Sequence, residues 1–169
     1  MDNVAVEIER KYIISKPDFA TLVGMPGYHS SLILQIYLDS SKGATHRIRS
    51  RRDADGVKYT ETTKVRIDSM SVYEDEREIS EGDFVALSKK IKSGTLPISK
   101  TRHRFDHAGL VIEIDEYPEW HNTCIMEIEL PSREYNAKIP EFINIVKEVT
   151  GDGAYSNAAM SRAFPKEEI

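Results

Sequence analysis

Charge recurs at every second residue on one segment of this chain after another, with apolar residues between. Arg47, Arg49 and Arg51 share one parity, as do Lys64 and Arg66, and Lys100, Arg102 and Arg104. The acidic counterparts are Glu7 and Glu9 with Lys11, then Glu74, Glu76 and Glu78, then Glu113 and Asp115, then Glu127 and Glu129. A period of two belongs to the β-strand, whose side chains alternate between two faces. Ile112 and Ile114, and Met126, Ile128 and Leu130, take the other parity and need a core. A doubly wound fold is excluded, because its helices would alternate with wholly apolar parallel strands, which this chain lacks.

The punctuation between these segments predicts the elements. A first strand covers Val6 to Ile14, and Ser15-Lys16-Pro17-Asp18 opens a short helix carrying Phe19, Leu22 and Val23. Further strands are expected at 32–39, 45–51, 57–67 and 71–79, with turn residues at 39–43 and 52–56. Ser80-Glu81-Gly82-Asp83 caps a helix that runs to about Lys92 on Phe84, Leu87 and Ile91. Strands resume at 96–106, 109–117 and 122–130. Pro140 predicts a second helix with Phe142, Ile143, Val146 and Val149 as its apolar stripe, and a short last helix is expected near 156–163. The expected class is mainly β (α+β), an antiparallel sheet of eight strands curled into a barrel with flanking helices. At 169 residues, a single domain over 1–169 can bury about 70% of the surface its unfolded chain exposes. Two arrangements stay open: apolar faces packed outward, with charge lining the interior, or apolar faces inward, with charge in solvent.

Composition narrows the function. A net charge of -5 argues against a nucleic-acid or membrane partner, while leaving room for a local basic cavity. Cys124 is the only cysteine, which rules out an intrachain disulfide and a Cys-rich zinc site and suits a reducing cytoplasm. The first residues carry alternating acids in place of a basic patch and an apolar run, so a cytoplasmic protein is expected. The histidines are scattered, and His103 lies on the parity opposite Arg102 and Arg104, which predicts a structural role. The Gly-rich nucleotide loops and the serine nucleophile elbow are missing.

Any one charged face could be an ordinary solvated strand surface. The clustering of sign is what points further, since three arginines on one face repel unless paired or bound to an anion. Guanidinium forks match phosphate oxygens, and carboxylates beside a bound phosphate recruit magnesium or manganese. Such an ion can polarise a phosphoryl group and activate water.

In this order the segments resemble the CYTH, or triphosphate tunnel metalloenzyme, family. The resemblance rests on Glu7-Ile8-Glu9-Arg10-Lys11, Arg47-Ile48-Arg49, Thr62-Thr63-Lys64, Glu76-Arg77-Glu78-Ile79, Lys100-Thr101-Arg102, Glu113-Ile114-Asp115, Glu127-Ile128-Glu129 and the late Tyr155-Ser156-Asn157. It implies an eight-stranded antiparallel tunnel that binds a small-molecule triphosphate with Mg2+ or Mn2+. By matched position, Glu7, Glu9 and Glu129, with Glu127 as a second candidate, resemble metal ligands. Lys11, Arg47, Arg49, Lys64, Lys100 and Arg102 resemble a triphosphate clamp. Glu76, Glu78 and Asp115 resemble interior acids that pair with bases or hold a second metal, Glu76 beside the substrate. Tyr37 resembles a tyrosine that in some members acts with the lysine equivalent to Lys100, packing being its alternative role. Lys100, Tyr37 and Glu9 are the catalytic candidates.

The reaction implied is hydrolysis of inorganic tripolyphosphate to pyrophosphate and phosphate. The alternatives are a class IV adenylyl cyclase, a thiamine triphosphatase and a polyphosphate-binding module, and the family analogy favours a homodimer. Two positions depart from the family pattern. Ala154 stands where many members have arginine, and Glu74 where many have a base. Each removes a cation, which bears on substrate affinity or on the C-terminal closure of the tunnel.

Overall fold

Alternating patterning produces nine strands here. The computed structural model describes residues 4–168. Its strands are β1 (Val4–Ser15), β2 (His29–Leu38), β3 (Ala44–Asp53), β4 (Gly56–Arg66), β5 (Ser71–Ile79), β6 (Ile98–His107), β7 (Leu110–Glu116), β8 (Thr123–Glu129) and β9 (Ile145–Glu148). The helices are α1 (Phe19–Val23), α2 (Glu81–Ser88) and α3 (Asn157–Met160), with a 3-10 turn at Gly153–Tyr155. The chain is mostly β, as expected.

Eight strands close into an antiparallel barrel in the order β5-β4-β3-β2-β6-β7-β8-β1, and β1 returns to β5 through Val4↔Asp75 to Ile8↔Ser71. Closure pairs the two outer strands of the sheet with each other over part of their length. Two-residue hairpins keep neighbours adjacent. Between β6 and β7 the loop is Ala108-Gly109, with φ 49° and 78°, the two left-handed residues that a type I′ turn requires.

The apolar faces pack outward. Phe84 of α2 seals Ile36, Leu38 and Ile48 on the outside of β2 and β3. Leu22 of α1 and Ile143 cover Tyr12, Ile14, Phe105, Ile112, Ile114, Met126 and Ile128 on β1, β6, β7 and β8. The charged faces therefore turn inward. A third cluster stops one end of the barrel. Interior positions Ile13, Tyr37, Ile98 and Ile125 meet Tyr155 and Met160 of the C-terminal turns, with Tyr117 and Trp120 alongside.

Two expectations on helices need correction. The segment after Pro140 forms turns and then β9, which pairs with Tyr12 to Ile14 of β1. β5 leaves β1 at Ile8, so the rest of that edge has unpaired backbone groups, and a β-branched segment answers it. Phe142 and Val146, assigned to a buried stripe, are 39% and 37% exposed. Helix α2 ends at Ser88, short of Lys92, because Ile91 bridges to Leu38 and the Lys92 amide donates to the Tyr37 carbonyl at 2.8 Å. His103 is buried outside the barrel, stacked on Phe19 and hydrogen-bonded to Tyr28, the structural role its parity predicts. No helix among the described residues is long and apolar enough to cross a membrane.

Candidate active site

Inside the barrel lies a cavity of about 430 Å³ whose lining includes nine Lys or Arg and seven Glu residues. Registration of neighbouring strands explains why they meet. Arg47 stands opposite Tyr37 and Arg49 opposite Gln35 across β2 and β3, while Glu127 stands opposite Lys11 and Glu129 opposite Glu9 across β8 and β1. Directly paired residues share a face. The bases come mainly from β3, β4 and β6, and the acids from β1, β5, β7 and β8. In a ring of eight, β3 stands four places from β8, so the two signs confront one another across the cavity.

The basic arc has donors to spare. Arg47 is only 8% exposed, its Nε has no hydrogen-bond partner among the described residues, and its nearest acid, Glu74, is 3.8 Å away. Arg49 has no salt bridge among those residues; its Nε and Nη2 donate to the neutral Gln35 Oε1 at 3.2 and 2.7 Å. Burial first, and then the Arg47 and Arg102 guanidiniums, hold Arg49 down to about 9. Lys64 reaches Glu7 at 3.3 Å and Glu74 at 3.7 Å.

The acidic arc shows the converse. Repulsion from Glu127, followed by burial, pushes Glu9 up to about 8. Burial would raise Glu127 too, but Lys11, 3.4 Å away, and Arg102 bring it down to about 2. Glu9 and Glu127 thus hold one proton between them at neutral pH. Glu7 is raised by burial and by Glu74, and Glu129 by burial and then by Glu7 and Glu113. Among the described residues no three His, Cys, Asp or Glu side chains are gathered as a metal cage.

A third group is fully paired. Asp115, 1% exposed, accepts from Lys100 Nζ at 2.7 Å and from Arg102 Nε and Nη2 at 2.7 and 2.8 Å. Burial alone would raise it, but Arg102 and Lys100 hold its carboxyl well below the carboxylate range. Burial and then the neighbouring arginines lower Lys100 to about 7 in spite of Asp115. Arg102 keeps Nη1 for Glu113 at 2.8 Å.

No protein-family model and no curated protein matches the chain. Solved structures do match. The inorganic triphosphatase NE1496 aligns over 94% of this chain and 96% of its own, with a TM-score of 0.60 and 24% identity. HpAC1 from Hippeastrum, an adenylyl cyclase candidate with a dominant triphosphatase activity, aligns over 76% and 81%, with a TM-score of 0.52 and 21% identity. The adenylate cyclase candidate bh2851 from Bacillus halodurans aligns over 78% and 83%, with a TM-score of 0.54 and 18% identity. The chain shares the fold of these structures, a closed antiparallel barrel around a tunnel.

The tunnel brings together most of the residues singled out from the sequence. Glu7, Glu9, Lys11, Tyr37, Arg47, Arg49, Lys64, Glu76, Lys100, Arg102, Glu127 and Glu129 all line it. Glu78 shares their parity but is exposed near the end of β5, outside the lining. Asp115 shares the inward face but is outside the lining, its oxygens taken by Lys100 and Arg102. Tyr37 packs in the apolar stopper, the alternative role given for it, and also lines the cavity. Of the two departures, Glu74 pairs with Arg47 and Lys64. At Ala154 the C-terminal turns still close on the barrel, since Lys11 Nζ donates to the Tyr155 carbonyl at 3.3 Å and Tyr117 Oη to Asn157 at 2.9 Å. Gln35 was not anticipated, although a single polar residue in the apolar run Leu32 to Leu38 is a signal for it.

Proposed function

We propose that this chain is a triphosphate tunnel metalloenzyme that hydrolyses a triphosphate, with inorganic tripolyphosphate as the preferred substrate. One observation carries the reading: buried and half-buried arginines with unused donors confront a crowded set of carboxylates, one of them raised to about 8 by its neighbour, within one cavity. A polyanion plus a divalent cation satisfies both arcs, and neither partner alone does so.

Arg47, Arg49, Lys64 and Lys11 hold the phosphate chain, with Lys100 and Arg102 beside them at the stoppered end and Glu76 beside the substrate, hydrogen-bonded to Thr62 at 3.1 Å. Guanidiniums fixed in a low-dielectric wall also offset the charge that shifts as the bridging P–O bond breaks. Glu7, Glu9, Glu127 and Glu129 fit a hard divalent ion. They offer only oxygen, they are crowded enough to raise Glu9, and magnesium commonly takes one or two carboxylates and completes its shell with water and substrate phosphate. Magnesium or manganese there would supply Lewis acidity at a phosphoryl oxygen and acidify the attacking water. Glu9, crowded against Glu127, would release its proton on taking such an ion, and Lys100 and Tyr37 face the same chamber. Water adds to the terminal phosphorus, the bridging bond breaks, and pyrophosphate, phosphate and a proton leave. Glu78 and Asp115 have no part in metal binding on this reading.

Phosphate and cyclic AMP are to be measured after incubation with tripolyphosphate, ATP and thiamine triphosphate, each with Mg2+ or Mn2+. Phosphate release is expected to be fastest from tripolyphosphate and to stop with chelator. Release from none of the three sinks the hydrolase, and cyclic AMP from ATP replaces it with a cyclase.

A further inference from the structure

Gln35 has no solvent exposure at all, yet two cavity residues depend on it. Its Oε1 accepts both hydrogen bonds from Arg49. A guanidinium only donates, so the oxygen of the amide has to be the atom that faces it, and the orientation of the amide is settled by chemistry. The Nε2 atom then faces Tyr37 Oη at 3.2 Å, and an amide nitrogen only donates. Tyr37 accepts this bond and keeps its own hydrogen for another acceptor. It donates to no protein acceptor among the described residues, and it lines the cavity.

We infer that Gln35 is a positioning residue that fixes Arg49 and commits the Tyr37 hydroxyl to donate into the tunnel, toward an oxygen of a bound phosphate chain. Pairing in the sheet supports this arrangement: Gln35 stands opposite Arg49, and Tyr37 lies two residues further along the same interior face of β2. A carboxylate at position 35 would also hold Arg49, but it would cancel the charge and accept from Tyr37, turning that hydroxyl away from the cavity. A neutral amide does neither. It holds one clamp residue without neutralising it and sets the donor sense of the other. The inference rests on the tripolyphosphate reading above.

Gln35→Glu is the decisive variant, because it keeps size and shape and reverses only the bond to Tyr37 and the charge at Arg49. Binding of tripolyphosphate is to be measured by calorimetry without divalent metal, and kcat/KM with Mg2+, for wild type, Gln35→Glu, Tyr37→Phe and the double variant. Binding is expected to weaken about tenfold or more in Gln35→Glu, the loss typical of a hydrogen bond to a charged group. The same substitution is expected to cost less in the Tyr37→Phe background, where no hydroxyl remains to be turned. Affinity within twofold of wild type, or an undiminished loss in the double variant, overturns the inference. If Gln35→Glu does not fold, Gln35→Met removes all three hydrogen bonds at similar volume and should show the same coupling. A wild type that binds but does not turn over tripolyphosphate defeats the hydrolase and leaves the binding comparison to judge Gln35. Turnover that is indifferent to Gln35 does the reverse, and no binding by wild type overturns both.

Discussion

Asp115 and Glu9 are carboxylates on the inward face of one tunnel, the first buried and the second half-buried, and their surroundings push them in opposite directions. Asp115 lies between two cations at hydrogen-bond distance and is held ionised. Glu9 faces Glu127 and is raised to about 8. The first region is complete without a ligand; the second is electrostatically incomplete. Burial of charge in this barrel therefore serves two ends, cohesion near Asp115 and ligand capture around Glu9 and Arg49.

Breaking the complete region should have the largest effect. Asp115→Asn leaves Lys100 without its one carboxylate partner among the described residues and replaces an acceptor shared by Lys100 and Arg102 with a donor, at a site with almost no solvent. Removing one member of a buried ion pair costs about 3–5 kcal/mol, because the remaining charge stays buried. Urea unfolding at pH 7 should show that loss, and a loss below about 1 kcal/mol would mean that the pairing near Asp115 adds little cohesion. Glu9→Gln is the matched test. Near neutral pH folded Glu9 carries a proton that the unfolded chain has lost, so Glu9→Gln should not destabilise the fold and should gain stability at pH 7 relative to wild type. Turnover should fall at least ~10²-fold, the several kcal/mol that a bound ion supplies. Equal stability losses in the two variants would erase the distinction.

Acid and base sharpen the same contrast. Glu9 keeps its proton in the folded chain up to about pH 8, whereas the unfolded chain loses it near the ordinary value of 4.5. Between those limits the folded state binds more protons, so stability falls as pH rises. Glu7 and Glu129, also raised, act with the same sign. Asp115 is lowered, so its contribution is intact above its ordinary 3.8 and is lost only in stronger acid. Lys100, lowered to about 7, opposes Glu9 only above pH 7. Metal-free protein should therefore lose stability from pH 5 to 7, by up to ~1.4 kcal/mol per pH unit for each proton released. Saturating Mg2+ or Glu9→Gln should flatten that slope, and a slope unchanged by both would separate it from the acidic arc.

How much of this was legible beforehand follows from the same physics. Period-two charge on seven segments revealed most of the strands and, by parity, nearly every lining residue, because direct pairing in a sheet preserves face. Parity alone left open which face turned inward; Leu22 and Phe84 settle that by capping the outside of the barrel. The segment after Pro140 misled because apolar spacing over Phe142 to Val149 also fits a helix, and the deciding factor, an open stretch of β1 beyond Ile8, is tertiary. Gln35 escaped because its value lies in the direction of two hydrogen bonds, which no spacing encodes.

Glu78 marks where parity stops being informative, and it carries the smallest expected effect. It continues the series of Glu74 and Glu76 on β5 and stands opposite Thr60 on β4, yet it is exposed and lies outside the cavity lining. Strands in a barrel tilt, so residues on one interior face reach the rim at different depths, and the outermost carboxylate meets water. An exposed carboxylate without a buried partner contributes little to stability. Glu78→Gln should leave turnover within twofold of wild type and unfolding within about 0.5 kcal/mol, the range of ordinary surface substitutions. A loss of turnover approaching that of Glu9→Gln, read in the same phosphate-release assay, would extend the ligand-capturing region out to the rim of β5.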